Sequence, residues 1–339
     1  FNVQKRVSKK EEDQFFRFIM LEGLLNRIDY AASAHIPVEH PNDFLSQGLN
    51  DLMNSWQADS PESDWNDLQK YMMGKKDKNV IVLAQTGMGK TEAGLLWLGN
   101  AKGFFTLPLK SAINAMYDRV TNEVVLSQQG QRVGLLHSDT YIKYLELDER
   151  GKALKENDGE GELSADLYYT RTRQLSLPLT ICTLDQLFGF VFLHRGFEHK
   201  LATLSYSKVI IDEVQMYSPE LTAYLVLVLS YIDRMGGQFA IMTATLPKFF
   251  VNLLQERKIS FEEPRMFVNE KIRHSLKVID NEINVGDIVD LSRKHRGRKI
   301  LIVCNTIKRA VKLYHQLGWD EDKGVAFIRE DSGEKGEPS

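Results

Sequence analysis

One stretch limits the possible folds of this 339-residue chain more than any other, the segment VIVLAQTGMGKTEAGLL at residues 80–96. Its apolar start, Val80–Leu83, is typical of a buried parallel strand, and Thr91–Leu98 is typical of the helix that follows one. The turn between them, AQTGMGKT, matches the phosphate-loop pattern G-x-x-x-x-G-K-[ST], with Ala84 at the first glycine position. Glycine costs conformational entropy on folding and is used where the backbone turns tightly or approaches a ligand closely, so this turn before a helix predicts an anion site.

A loop of this kind binds a nucleoside triphosphate mainly through its backbone. N–H groups of the loop and of the first helical turn surround the phosphates, and the lysine neutralises the β- and γ-phosphate charge. Lys90 is the predicted lysine, and the Thr91 hydroxyl is a predicted ligand of Mg²⁺. The predicted ATP-binding residues are Gln85, Thr86, Gly87, Met88, Gly89, Lys90 and Thr91.

A second segment supplies the carboxylates that triphosphate hydrolysis requires. The apolar run Val209–Ile211 ends in Asp212 and Glu213. At the end of a strand beside the loop, one carboxylate would hold Mg²⁺ and the other would orient or deprotonate the attacking water. We predict Asp212 in the first role and Glu213 in the second.

Strands and helices alternate along most of the chain, which predicts an α/β fold with a parallel sheet flanked by helices. The predicted strands of the main domain are Val80–Leu83, Gly103–Leu107, Val133–Leu136, Leu179–Cys182, Val209–Ile211 and Phe239–Thr243. The charge-dense segment 145–166 predicts a surface excursion. A second α/β unit has predicted strands at Leu276–Ile279 and Ile300–Cys304 and predicted helices at Asp287–His295 and Ile307–Leu317. The polar tail that follows predicts that this unit is incomplete.

The opening of the chain predicts one amphipathic helix. Residues 13–35 carry apolar side chains at helical spacing, which predicts that this face packs on another element. These side chains are Phe18, Leu21, Leu25, Ile28 and Ala32. The polar, proline-containing stretch that follows predicts a linker with one short helix near Phe44–Trp56.

Composition excludes several classes of protein. Cys182 and Cys304 lie in apolar runs without metal-ligand spacing, which favours a reducing compartment over a disulfide framework and argues against zinc. Since no apolar run reaches the ~18 residues of a membrane span, we expect a cytoplasmic protein with no membrane partner. The formal net charge of −3 argues against binding through an overall basic field but allows a local nucleic-acid groove.

Three motifs in order give the chain a family resemblance. The loop AQTGMGKT, the segment DEVQ at Asp212–Gln215 and the segment MTATLP at Met242–Pro247 resemble motifs I, II and III of superfamily 2 helicases. The resemblance implies two RecA-like domains with ATP between them. Gln215 stands where the family more often has histidine, and the resemblance implies that it links the phosphate state to contact with the nucleic-acid strand.

Further segments narrow the resemblance to one family. Phe105–Ser111 looks like motif Ia, Thr183–Leu187 looks like the element that contacts the tracked strand, and Cys304–Thr306 looks like motif IV. With the acidic box, they most resemble the CRISPR-associated helicase–nuclease of type I interference systems. The residues thereby implied in nucleic-acid contact or coupling are Pro108, Lys110, Thr183, Asp185, Gln186, Thr243, Thr245, Asn305 and Thr306.

The N-terminal helix fits the same family. Gly23–Ser33 resembles the last helix of the histidine–aspartate (HD) nuclease domain that precedes the motor, in which an aspartate helps to bind the nuclease metals. Asp29 and Ser33 are four residues apart and so share one helix face. The histidine motifs of such a domain are not found among the eight scattered histidines. The resemblance thus implies that Asp29 is a metal ligand in a longer protein, for Mn²⁺, Ni²⁺, Co²⁺ or Fe²⁺.

The predicted domains follow from these motifs. They are residues 1–38 as the end of an HD domain, 39–64 as a linker, 65–270 as the first RecA-like domain and 271–339 as the start of an incomplete second one. Motifs V and VI, which in the resembled family include the arginine-rich box that reaches the γ-phosphate, are not found. Because such an arginine is worth roughly 10³–10⁵ in rate, we expect this chain alone to bind ATP better than it hydrolyses it. The family implies single-stranded DNA, 3′-to-5′ movement and a guide-RNA surveillance complex of the Cascade type as recruiter.

Two other functions stay open. A general superfamily 2 RNA or DNA helicase with an unrelated N-terminal extension would share the chemistry, and Gln69 is then a candidate for adenine recognition, although a helix-surface glutamine is an equal interpretation. A non-hydrolysing docking module would bind nucleotide without turnover. The combination of Lys90, Thr91, Asp212 and Glu213 argues against that module, because a dead site needs none of them.

Overall fold

A computed structural model gives the structure of most of the chain. The described residues are 9–126, 132–149, 154–155, 162–163, 165–192, 196–269, 278, 280–295, 300–317, 319–320 and 325–326. The chain divides into two compact units, Phe1–Glu270 and Lys271–Ser339.

A seven-stranded parallel sheet forms the centre of the first unit. Its strands are β1 (Val80–Ala84), β2 (Gly103–Leu107), β3 (Val133–Leu136), β4 (Leu179–Thr183), β5 (Lys208–Asp212), β6 (Gln238–Thr243) and β7 (Arg265–Phe267). The spatial order is β3-β4-β2-β5-β6-β1-β7. Because every neighbouring pair is parallel, the carboxyl ends of all these strands lie along one edge.

Helices cover both faces of the sheet. In the first unit they are α1 (Lys9–Ala34), α2 (Leu45–Asp59), α3 (Asp67–Gly74), α4 (Lys90–Leu98), α5 (Lys110–Val120), α6 (Thr140–Glu149), α7 (Ala165–Arg173), α8 (Leu184–Phe188), α9 (Phe197–Leu204), α10 (Pro219–Met235) and α11 (Lys248–Glu256). A π-helical turn (Thr121–Val125) extends α5, and 3₁₀ turns occupy Gly189–Phe192 and Val214–Met216. Two short strands, Leu154–Lys155 and Glu162–Leu163, pair antiparallel.

The hydrophobic core lies on both sides of the sheet, because the central strands are apolar on both faces. Val80 and Val82 point into the core that includes α4 and α5, and Ile81 points into the core that includes α9 and α10. This continuous apolar pattern is the one expected of a parallel strand buried on both faces. The predicted parallel α/β sheet and its six predicted strands are confirmed.

Two predictions about strands differ from the structure. The edge strand β7 was not predicted, because of its three residues only Phe267 is buried and no periodicity emerges. The predicted strand Ile300–Cys304 is wrong: these residues form no strand, and the side chains of Leu301 and Val303 are 87% and 77% exposed. An apolar run becomes a strand only where neighbouring backbone pairs with it.

The second unit has two helices and a short antiparallel pair among its described residues. The helices are α12 (Val285–Lys294) and α13 (Ile307–Leu317), in agreement with the predictions for this region. The pair consists of Trp319–Asp320 and Val325–Ala326. Of the predicted strand 276–279 only Val278 lies within the described residues, and the polar tail lies outside them.

The N-terminal helix packs through a different face from the predicted one. Phe18 and Leu25 of the predicted face are 61% and 55% exposed. The buried positions are instead Ile19, Gly23, Arg27 and Ala31, and this face packs on α9. A side chain at Gly23 would lie 2.3 Å from the Glu198 carbonyl oxygen, so small residues decide which face approaches its neighbour.

Arg27 fixes α1 to the rest of the first unit through a buried polar network. Its guanidinium is 2.7 Å from the Glu39 carboxylate and donates to the carbonyl oxygens of Val38 and Leu175 at 3.1 and 3.3 Å. Glu39 also accepts from Lys102 at 2.7 Å. The bonds of Arg27 replace the water that burial removes, as a buried charge requires.

Replacing Arg27 by alanine is expected to lower the free energy of unfolding by about 2 to 3 kcal/mol, because carbonyl and carboxylate acceptors lose a charged donor. Urea unfolding followed by circular dichroism measures the change. The matched control is Lys70→Ala, whose partner is the exposed Asp64 at 2.6 Å and whose expected loss is under about 1 kcal/mol. Equal losses in the two variants would contradict a structural role for the buried network.

The stretch predicted as a linker contributes to the core. Helix α2 lies within residues 39–64 and buries Leu45, Leu49 and Leu52. A side chain at Gly48 would lie 2.2 Å from the Val124 carbonyl oxygen, so α2 lies directly on the end of the α5 region. The boundaries of the four predicted domains stay predictions. Among the described helices, none combines the length and the apolar composition that a membrane span requires.

Candidate active site at the carboxyl edge of the sheet

The loop after β1 has the backbone geometry that its glycines predict. Gly87 and Gly89 have φ angles of 81° and 71°, in the left-handed region that favours glycine. A side chain at Gly89 would lie 2.4 Å from Nε2 of Gln69. Helix α4 begins at Lys90, directly after this turn. The N–H groups of its first turn therefore open toward the loop, which is the arrangement for binding phosphate.

Hydrogen bonds from the start of helix α3 hold the loop after β1 in place. Asn66 and Gln69 form a reciprocal capping box at the start of α3. Beyond the box, Asn66 Nδ2 donates to the Met88 carbonyl oxygen at 2.9 Å, and Gln69 Nε2 donates to that of Gly89 at 3.4 Å. Gln69 is thus buried against the loop. Asn66 was missed in the sequence, although the N-x-x-Q pattern before an apolar helix signals a capping box.

Three charged side chains from two strand ends converge beside the loop. The Lys90 ammonium lies 2.5 Å from a Glu213 carboxylate oxygen and 3.8 Å from one of Asp212. Burial raises the pKa of Asp212 to about 6, against the opposing effect of Lys90. Burial acts in the same direction on Glu213, but hydrogen bonds from Lys90 and Gln215 outweigh it and lower the pKa of Glu213. The ammonium therefore lies where two acids neutralise it.

Glu213 adopts a backbone conformation that is rare outside glycine. Its φ and ψ are 52° and 49°, and this conformation costs roughly 1–3 kcal/mol. Its N–H is 3.0 Å from the Met242 carbonyl oxygen of β6, which fixes the turn against the sheet. The left-handed residue turns the chain sharply after β5, and its carboxylate reaches Lys90.

A chain of hydrogen bonds runs from Glu213 to the end of β6. Gln215 Nε2 donates to the Glu213 carboxylate at 2.5 Å, and Gln215 Oε1 accepts from the Thr243 hydroxyl. That hydroxyl also lies 2.7 Å from the Thr245 carbonyl oxygen. Because a hydroxyl has one hydrogen, it donates to only one of these acceptors at a time. An amide both donates and accepts, so Gln215 can bridge the Glu213 carboxylate and the Thr243 hydroxyl.

The predicted nucleic-acid residues of the first unit lie along the same edge. Pro108 and Lys110 follow β2, Thr183 ends β4, and Asp185 and Gln186 lie in α8 directly after it. Leu107 is paired with Thr183 in the parallel register, so the two groups are neighbours. The Thr183 hydroxyl is buried and has no hydrogen-bond partner among the described residues. In open α/β sheets this edge is the ligand-binding one.

The remaining predicted residues belong to the second unit and to α1. Asn305 and Thr306 belong to the second unit, where the Thr306 hydroxyl accepts from the Arg309 N–H at 3.3 Å at the start of α13. Asp29 and Ser33 are exposed on α1. No group of three or more metal-ligating side chains occurs within the part of the chain that the structure describes. Among the described residues of the first unit, no hydrogen bond or ion pair joins Asp29 or Ser33 to the side chains around Lys90.

Comparison with known proteins gives a consistent family. A profile of the DEAD/DEAH box helicases matches residues 67–253. The CRISPR-associated nuclease/helicase Cas3 of Methanothermobacter thermautotrophicus is 25% identical over 334 residues, which cover 92% of this chain and 38% of the relative. A putative CRISPR-associated nuclease/helicase Cas3 of Methanocaldococcus jannaschii is 28% identical over 266 residues, 73% of this chain and 35% of the relative. The chain thus spans little more than a third of these relatives.

A solved structure supports the fold. The helicase MrfA superposes with a TM-score of 0.52 and 13% identity over 78% of this chain and 39% of that protein. At this identity the similarity concerns the fold alone. The expected RecA-like sheet and the resemblance to CRISPR-associated helicase–nucleases are both confirmed.

Proposed function

The chain belongs to the DEAD/DEAH box helicase family, and we propose that it forms the motor part of an ATP-dependent helicase that unwinds DNA in type I CRISPR interference. The observation that carries the proposal is the continuous path Lys90–Glu213–Gln215–Thr243. It joins the phosphate loop to the strand end that the family uses to couple hydrolysis to movement. A non-hydrolysing docking module has no use for such a path.

In this proposal the residues around the loop bind Mg²⁺-ATP. The donor set fits the group, since a lysine, a threonine hydroxyl and two carboxylates suit a triphosphate with a hard cation. Lys90 would pair with the phosphates in place of its two carboxylates, and Thr91 and Asp212 would hold the metal ion. Glu213 takes a proton from, or orients, the attacking water. Bound Mg²⁺ supplies charge that stabilises the transferring phosphoryl group.

We further propose that single-stranded DNA runs along the edge formed by the ends of β2 and β4. Lys110 and Gln186 offer contacts suited to sugar and phosphate, which position a strand without reading its sequence. The Thr183 hydroxyl is buried, so it would reach the DNA only after this strand end opens. Asn305 and Thr306, in the second unit, are proposed DNA contacts by resemblance alone. A guide-RNA surveillance complex of the Cascade type, acting in the cytoplasm, is the proposed recruiter, and it rests on similarity to the CRISPR-associated relatives.

The nuclease part of the proposal concerns Asp29. Similarity to proteins that are called nuclease/helicases supports an HD domain in the full-length protein. The exposed Phe18, Leu21 and Leu25 on the same helix also support it, because a further domain would cover them. Asp29 would then join ligands from that domain in binding Mn²⁺, Ni²⁺, Co²⁺ or Fe²⁺.

Asp29→Ala in the full-length protein is expected to abolish metal-dependent cutting of single-stranded DNA and to leave DNA-stimulated ATP hydrolysis unchanged, because only the nuclease loses a ligand. A gel assay of cutting and a phosphate-release assay measure the two activities. The control is Asp51→Ala, an exposed aspartate of α2.

The outcomes separate the candidate functions. Full cutting by the Asp29 variant would show that this residue is a surface acid. Stimulated ATPase without any cutting by the wild-type protein would favour the general helicase, and absence of stimulation would favour the docking module.

A further inference from the structure

An ion pair lies on the proposed DNA edge. The Asp139 carboxylate is 2.9 Å from the Lys110 ammonium, and both side chains are about half exposed, at 55% and 53%. Lys110 begins α5 directly after β2, and Asp139 follows β3. Since β3, β4 and β2 are consecutive in the sheet, the loop after β3 lies beside the proposed contacts after β4 and β2.

The position of Asp139 is set by a buried histidine. The Asp139 N–H donates to His137 Nδ1 at 3.0 Å, and the other ring nitrogen of His137 is 3.0 Å from the Asn114 side-chain oxygen. These bonds define a neutral imidazole that accepts at Nδ1 and donates from Nε2. Burial lowers the pKa of His137, in agreement with that neutral form. The histidine, 5% exposed, thus ties the loop to α5.

The carboxylate itself is held as well. The Ser138 hydroxyl donates to its other oxygen at 3.0 Å, and hydrogen bonding to Lys110 lowers the pKa of Asp139. Exposed ion pairs usually contribute little because two long side chains must be ordered. Here the bond from Ser138 already orders the Asp139 carboxylate, which reduces the entropy cost of pairing it with Lys110.

We propose that Asp139 competes with the DNA backbone for Lys110. In the free protein the Asp139 carboxylate is paired with the Lys110 ammonium. A DNA phosphodiester must displace this carboxylate before it can bind the ammonium. The competition weakens the hold on each phosphate, which suits a motor that must release and rebind the strand at every step. This inference rests on the proposed DNA edge and adds an element that limits its affinity.

The test is the affinity of the protein for a fluorescein-labelled single-stranded oligothymidylate, measured by anisotropy without nucleotide. Asp139→Asn is expected to bind about two- to fivefold tighter at low salt, and the gain should shrink as salt screens the exposed charges. Unchanged or weaker binding would overturn the competition, since weaker binding means that Asp139 instead holds Lys110 in place for the DNA.

Two controls separate competition from other effects. Asp118→Asn makes the same charge change on α5, where Asp118 pairs with Lys143 at 3.3 Å, about 12 Å along the helix from Lys110. An equal gain there would mean that net charge alone is responsible. In a Lys110→Ala background the gain from Asp139→Asn should vanish, and its persistence would exclude Lys110 as the contested group.

The same set distinguishes this inference from the function on which it rests. Weaker binding by Lys110→Ala with no gain in Asp139→Asn would overturn the competition and leave the proposed edge intact. Binding unaffected by Lys110→Ala removes Lys110 from the edge and the competition with it. A wild-type protein that binds no single-stranded DNA would overturn both.

Discussion

Lys90→Ala is expected to weaken Mg²⁺-ATP binding by about 100- to 1,000-fold. Removing one partner of a buried charged contact costs a complex about 2–5 kcal/mol, and each 1.4 kcal/mol is tenfold in affinity. The Lys90 side chain is only 10% exposed, so water cannot replace it well. The loss has a second source, because Asp212 and Glu213 would then face the phosphates without the ammonium between them.

Isothermal titration calorimetry with Mg²⁺-ATP measures this effect directly. Lys248→Ala removes an exposed lysine at the start of α11 and serves as the control with unchanged affinity. Circular dichroism of the Lys90 variant checks that the fold is retained. ATP affinity within a few-fold of wild type would show that the loop does not bind the triphosphate through this lysine.

The central sheet could be predicted from the sequence because its strands are buried on both faces. A run such as Lys208–Asp212 contains three β-branched apolar residues in succession. In a soluble fold such a run fits few positions other than a strand buried on both faces. Periodicity was a weaker guide for α1. Both of its faces satisfy helical spacing, and the packed one was decided by Gly23, which permits a close approach to α9, and by the buried bonds of Arg27.

In the candidate active site, too, features that depend on neighbouring residues in the sequence were predictable, and contacts between distant residues were not. Lys90, Asp212 and Glu213 were predicted because each belongs to a short sequence motif whose residue types and spacing are recognisable. The hydrogen-bond and ion-pair partners around the site belong to no such local motif. The bridge from Gln215 to Thr243 spans 28 residues of sequence, and the ion pair between Lys110 and Asp139 spans 29. Only the order of strands in the sheet brings such residues together.

Glu213→Gln is the change expected to separate binding from hydrolysis. The amide keeps the size of the carboxylate, and its oxygen can still accept from Lys90, as Glu213 does at 2.5 Å. It cannot take a proton from water at neutral pH. Loss of a general base reduces turnover by about 10²- to 10⁴-fold, whereas Mg²⁺-ATP affinity should stay within a few-fold of wild type.

The experiment compares DNA-stimulated phosphate release by the full-length wild-type and Glu213→Gln proteins, with calorimetry to confirm that both bind ATP. The control is Glu220→Gln, a change to an exposed glutamate in the first turn of α10, which should leave both quantities unchanged. Hydrolysis by Glu213→Gln that stays within a few-fold of wild type would assign water activation to another group. Loss of both ATP binding and hydrolysis would mean that Glu213 maintains the conformation of the loop and of Lys90 rather than acting on water.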